Sequence, residues 1–225
     1  MSGETNPLDD FGGVARLFPL PNLVFFPRVV QPLHIFEARY RQMTADALAS
    51  DRLIALVKLC PGWEEAGSEP PAIHLVACLG RIAANQKLHD GRYNLLLQGL
   101  SRIRVVRELT TDRLYRSAEV ELLHDRACSS PEIERALRLR LVEQMPTWFV
   151  EKGPVVEQFE KLLQSDLTLG ALCDVFGFAL PIDSDFKQML LEELEVETRA
   201  RLLLEHMKKI APLGDRKFPP DFSPN

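Results

Sequence analysis

No apolar run in this chain of 225 residues approaches the roughly 20 residues that a membrane helix needs. The opening residues, MSGETNPLDDFGG, carry neither the basic start nor the apolar core of a secretory signal, so the expected compartment is the cytoplasm. Cysteine is scarce: Cys60, Cys78, Cys128 and Cys173 contain no C-x-x-C pair and read as free, half-buried thiols. His124 with Cys128 offers two metal-type ligands without a second pair, so no metal is expected, and no cofactor is called for. A phosphate loop of the G-x-x-x-x-G-K-[ST] type is missing. None of the histidines, His34, His74, His89, His124 and His206, lies in a recognisable nucleophile–base motif. Neither half is basic: residues 1–127 carry 15 Lys+Arg and 15 Asp+Glu, and residues 128–225 carry 12 and 17. That argues against nucleic acid as a partner.

Against these absences stands LFPLPNLVFFPRVVQPLHIFEARYRQM, residues 17–43. It is apolar enough for a core, yet it holds Pro19, Pro21, Pro27 and Pro32, which lack the N–H that a central strand requires. Such prolines belong at bends and sheet edges, where they also blunt pairing with other chains. Phe36, Tyr40, Met43 and Ala47 then share one helical face, with Glu37 and Arg41 as an i,i+4 pair. DRLIALVKL (51–59) reads as a buried strand, and CPGWEEAGSEPP (60–71) as a loop. IHLVACLGRIAANQKL (73–88) and RYNLLLQGLSRIRVVREL (92–109) are strand-like and flank Asp90-Gly91, a tight-hairpin signal. Gly80 and Gly99 inside these runs mark bulges or bends. Ile103 and Val105 alternate with Arg102 and Arg104, which predicts a charged outer face. YRSAEVELL (115–123) adds another strand.

The period changes near residue 128. Ser130-Pro131-Glu132 is a helix start, followed by Ile133, Leu137, Leu141 and Met145 at spacing four. Val155, Val156, Phe159, Leu162 and Leu163 give another apolar face. Thr168 is placed to cap a helix with Leu169, Leu172, Val175 and Phe176 inward. ALPIDS breaks that helix, and a long helical stretch runs from about Ser184 to Ile210. The pattern gives residues 1–14 as a flexible start, 15–127 as a β-rich part, 128–211 as a helical part and 212–225 as a flexible tail.

In their order and spacing these residues resemble the N-terminal domain of the Lon protease family. The likeness begins at LFPLPNLVFFPRVVQPLHIFEARY and continues through DRLIALVKL, LVACLGRI, DGRYNLLLQGLSRIRVVREL and YRSAEVELL. The helical half, LTLGALCDVFGFALPIDSDFKQMLLEELEVETRARLLLEHM, follows the family's Leu-x-Asp, Gln-x-x-Leu-Glu, Val-x-x-Arg order. Two positions depart from it. Ala77 stands where the family usually has Gly, and Leu194-Glu195 replaces a capping pair between two helices, so the last two helices are expected to fuse. The resemblance implies an α+β fold, a PUA-like pseudo-barrel with one short helix followed by a C-terminal helical bundle. With neither ATPase nor protease motifs in the sequence, it also implies a stand-alone, non-catalytic, substrate-binding type of domain.

Protein recognition is therefore the expected function, through exposed apolar side chains. The candidate contacts are Phe25, Phe26 and Arg28 in the proline-rich segment, Trp63 in the Gly/Pro loop, and Trp148 and Phe149 after the first bundle helix. The expected partners are unfolded client proteins or one dedicated protein, such as an ATPase or a protease. The alternative is an RNA-binding PUA-like module using Arg81, Arg92, Arg102, Arg104 and Arg107, although a single-strand binder would interleave more aromatics with them.

Overall fold

The computed structural model describes residues 8–9, 11–65, 67, 70–144 and 167–209. The chain divides into two compact units, Met1–Phe25 with Val30–Leu123, and Phe26–Val29 with His124–Asn225.

The first unit is a six-stranded mixed sheet. Its strands are β1 (Val14–Leu20), β2 (Val30–Ile35), β3 (Leu53–Lys58), β4 (Val76–Lys87), β5 (Tyr93–Leu109) and β6 (Ser117–Leu123), with helix α1 (Ala38–Leu48) between β2 and β3. β1 pairs with β3 in parallel, and β3–β4, β4–β5, β5–β6 and β6–β1 pair antiparallel, so five strands close into a ring. β5 is 17 residues long. One flank of it pairs first with β2 (residues 93–98) and then with β6 (residues 102–109).

Closure of so small a ring needs strong local twist, and three register shifts supply it. Leu100 is the extra residue between the Leu79↔Ser101 and Gly80↔Gly99 pairs, and Ala83 between Ile82↔Leu97 and Ala84↔Leu96. Val106 is the extra residue between Val105↔Val120 and Arg107↔Glu119. Gly80 thus sits at a bulge, as its place inside a strand suggests. The interior is filled by one face of each ring strand, including Leu17, Val57, Leu79, Ile103 and Val120, with small residues Ala15, Ala55, Ala77 and Ala118 between them. Mixed small and large side chains suit a narrow barrel. β3 is buried on both faces, which is why it reads as an unbroken apolar run. On the other face of β1, Phe18 packs on Tyr40 of α1, ring centroids 4.4 Å apart.

The prolines fall where no ladder hydrogen bond is lost. Leu17 donates its N–H to the Arg116 carbonyl of the β6 flank. Pro19 faces the same way two residues on, beyond the Val14–Arg16 pairing with β6. β2 pairs only with β5, and its Pro32 lacks a donor while the Gln31 side-chain amide donates to the Pro32 carbonyl (2.8 Å). The edge is closed to further strands at its centre. Gly91 takes φ +84° in the β4–β5 turn, closed by Leu88 N–H to the Arg92 carbonyl (2.8 Å). The expected Glu37–Arg41 pair does not form. Glu37 is the N-cap residue rather than part of α1, and it pairs with Arg39 instead, at 2.9 Å.

The described residues of the second unit form α2 (Pro131–Gln144), α3 (Leu169–Ala179), α4 (Ser184–Glu192) and α5 (Val196–Lys209), with α5 packed against α2, α3 and α4. Side-chain caps fix three starts. The hydroxyl of Ser130 accepts from Ile133 N–H (3.3 Å), that of Thr168 from Ala171 N–H (3.3 Å), and the carboxylate of Asp183 from Phe186 N–H (2.8 Å). α3 is buried on most of its surface. The apolar face expected over residues 155–163 lies outside the described residues.

The expected fusion of the last two helices is overturned. The chain leaves the helix at Glu193 and re-enters it at Val196, because other partners satisfy the backbone there. Arg126 N–H donates to the Leu194 carbonyl (2.8 Å) and Val196 N–H to the Arg126 carbonyl (3.0 Å). Glu195 N–H donates to the Glu193 carboxylate at 2.7 Å, and Arg199 donates to the Glu193 carbonyl at 2.8 Å.

Lys187 on α4 carries a measurable consequence. Its ammonium donates to the Phe178 carbonyl (2.5 Å), and burial pushes its pKa down from 10.5 to about 8. Between those values the unfolded chain holds more protons than the native one, so this group makes stability rise with pH. Urea unfolding at pH 7.5 and 9.5 should show a gain for the native sequence that Lys187→Met lacks. Equal changes in both would show that Lys187 titrates normally.

Candidate functional site

The proline-rich segment does not supply the exposed surface expected of it. Phe25 and Phe26 are 1 % and 0 % exposed. Phe25 lies against Gly80 of β4, and Phe26 against Gly177 of α3. Between them and β2, Pro27 is followed by Arg28 at φ +66°, the order of a type II turn. The apolar side chains turn inward there, and Arg28 remains half exposed, 3.9 Å from the buried carboxylate of Asp174. Trp148 and Phe149 lie outside the described residues.

That carboxylate belongs to a buried ionic cluster. The side chains of Arg199 on α5 and Asp174 on α3 are fully buried, 3.7 Å apart. Arg199 also donates to both Asp125 oxygens (2.9 and 2.6 Å). Burial acts to lower the Arg199 pKa, but the Asp125 bonds and the charges of Asp174 and Asp125 outweigh it and the net shift is upward. The guanidinium is a fixed cation joining the segment before α2, the start of α3, the α4–α5 junction and α5. It is inaccessible, so its part is structural.

Among the described apolar candidates, Trp63 is the one left open to solvent. The loop after β3 is anchored at its base by the Leu59↔Ile73 bridge and by Cys60 N–H to the Ala72 carbonyl (2.9 Å). A 3-10 turn over Trp63–Glu65 holds the indole 38 % exposed at a groove of about 470 Å³, walled also by Tyr40, Pro70, Pro71 and Leu114. Leu114 is 64 % exposed, and its N–H donates to the Gln42 side chain (2.8 Å), which anchors its backbone. Arg116 donates to the Pro71 carbonyl (2.8 Å) and forks onto Glu108, bracing the proline wall. Burial pushes the Tyr40 phenol up to about 12, partly opposed by Arg39, whose guanidinium lies 4.5 Å over the Tyr40 ring. Trp63 was legible from its loop. Leu114 was missed, although a single Leu in the polar run TTDRLYR was the available signal.

The expected basic face on β4 and β5 is largely neutralised. Arg102 is buried at 3 % exposure, while Arg104 on the same strand is exposed. Arg107 forks onto Glu119, Arg92 pairs with Asp90 (2.6 Å), and Arg104 is in cross-strand register with Glu121. Among the described residues no group of three or more His, Cys, Asp or Glu could hold a metal, and no helix is long and apolar enough to cross a membrane.

Comparison with known proteins gives this architecture its relatives. The chain is 28 % identical over 204 residues to Lon protease 2 of Myxococcus xanthus, covering 89 % of this chain and 24 % of that one. It spans about a quarter of the length of the curated relatives first matched. The crystal structure of a Lon N-terminal domain protein from Xanthomonas campestris superposes with a TM-score of 0.61 at 23 % identity, covering 88 % of this chain and 99 % of that one. The N-terminal domain of Mycobacterium avium complex Lon protease gives 0.65 at 16 % identity, covering 87 % and 98 %. At those identities the two structures establish the fold, a PUA-like pseudo-barrel followed by helices. The sequence match extends through barrel and helices alike. With the profile of the ATP-dependent protease La (Lon) substrate-binding domain matching residues 14–209, the chain belongs to that family.

Proposed function

We propose that this chain is a non-catalytic protein-binding module of the cytoplasm. It takes hold of apolar segments of unfolded chains, or of one dedicated protein partner such as an ATPase or a protease, through the groove beside Trp63. The observation that carries this reading is the groove itself. It holds an indole and a leucine open to solvent on braced backbone, whereas Phe18, Phe25, Phe26 and Phe176 are fully buried. Aromatic anchors in a preformed concavity are the usual seat of binding energy. Membership in a substrate-binding family supports the same reading. The cross-strand acids that offset the arginines of β5 speak for protein over RNA as the partner.

Trp63→Ala tests it. Because the indole is partly exposed on a loop, the substitution should change unfolding free energy by no more than about 0.5 kcal/mol. It should weaken binding of a permanently unfolded protein roughly tenfold or more. A large loss of thermal stability with unchanged binding would make Trp63 a packing residue and remove the groove from the account.

A further inference from the structure

Two cations line the groove beside Trp63, each bonded to a carboxylate just outside that lining, Arg39 to Glu37 and Arg116 to Glu108. The described lining itself contains no carboxylate, in a chain of net charge −5. The two cations differ. Arg116 is committed to Glu108 and the Pro71 carbonyl and is 19 % exposed. Arg39 gives only its Nε to Glu37, at 2.9 Å, and stays 51 % exposed. Its guanidinium is stacked over the neutral Tyr40 ring, which orients the fork and leaves its two terminal amino groups to a ligand. A volume of about 470 Å³ falls within the range of ligand pockets, roughly 300–1,000 Å³. It admits the side chains of an extended segment rather than a folded surface.

We infer that the groove takes an extended polypeptide segment in which a large apolar side chain adjoins a carboxylate side chain. The apolar group lies on Trp63 and Leu114, and the carboxylate on the terminal amino groups of Arg39. This rests on the protein-binding reading above and narrows it. Charge and apolar surface act together: an apolar side chain alone finds the wall but not the cation, and a basic neighbour meets Arg39 with like charge. Arg–carboxylate pairing is favoured over a neutral amide by charge assistance.

The test uses the full chain and labelled, C-terminally amidated extended peptides carrying one Phe followed by Asp, Asn or Lys. A permanently unfolded protein is titrated beside them at low and moderate salt. The Asp peptide should bind about three- to fivefold tighter than the Asn peptide at low salt, less so at moderate salt, with the Lys peptide weakest. Arg39→Gln should abolish the preference while leaving the melting temperature unchanged, and Trp63→Ala should weaken all three peptides. Equal affinity for Asp and Asn peptides, with the unfolded protein still bound, would overturn the inference and leave the general reading standing. A preference that survives Arg39→Gln would overturn the assignment to this groove. Failure of both peptides and unfolded protein to bind would bring down the inference and the reading together.

Discussion

Replacing Arg199 by Met is expected to cost about 3–5 kcal/mol of stability, because it removes the guanidinium that faces a fully buried carboxylate. At this chain length that is a fall of roughly 10 °C or more in melting temperature. Asp174 is fully buried, and Arg199 is the buried cation beside it, whereas Arg28, 3.9 Å away, is half exposed. The same substitution removes the hydrogen bonds from Arg199 to the Glu193 carbonyl and the Asp125 carboxylate, so the α4–α5 junction loses one of its supports. The two aspartates should not respond alike. Asp125 retains some exposure while Asp174 has none, so Asp174→Asn in the Arg199→Met background should recover much of the loss and Asp125→Asn little. Additive losses in the double variant would show that the cluster is not electrostatically coupled.

Gly80→Ala should also destabilise, by about 1–3 kcal/mol, through overpacking. The expected sign is the opposite of the ordinary one, since exchanging Gly for Ala usually stabilises by about 0.4–1 kcal/mol through the unfolded chain. An added Cβ would stand 2.9 Å from Leu97 Cγ, 2.9 Å from Phe25 Cε1 and 3.0 Å from the Gln98 backbone oxygen. The side chains have some freedom to yield, but the carbonyl is fixed in the β4–β5 ladder. Gly12→Ala is the matched control, with nothing within 4 Å of its added Cβ, and should be neutral or slightly stabilising. Chemical denaturation of both variants decides the matter. A Gly80→Ala protein as stable as the native one would mean that the bulge at Leu100 relaxes freely and does not set the barrel's closure.

Where a structural decision is local, it could be read from the residues involved. Asp90-Gly91 needs only its own positive φ, and Thr168 needs only a hydroxyl three residues before a free N–H. The apolar face of α1 is likewise stated by Tyr40, Met43 and Ala47, but not by Phe36, which the spacing puts on the same face and which instead precedes the helix and is exposed. What escaped depends on partners far along the chain. The break at Glu193–Glu195 is satisfied by Arg126 and Arg199, and helical periodicity runs straight through it. Arg102 alternates like a surface residue, yet its side chain is buried where that of Arg104 is exposed. Phe25 and Phe26 read as exposed candidates because prolines place this apolar segment at bends and sheet edges, whereas both rings are buried beside the Pro27–Arg28 turn. The groove was legible in the sequence only at Trp63. Its opposite wall, Leu114, comes from a turn some fifty residues later, brought beside it by ring closure.

The most direct measurement is a titration of the purified chain with a labelled, permanently unfolded protein, set against the same protein in its folded form and against a mixed RNA pool. Saturable binding to the unfolded form alone, weakened by Trp63→Ala at unchanged melting temperature, is the result this account predicts. Binding to RNA with steep salt dependence and none to the unfolded protein would contradict it.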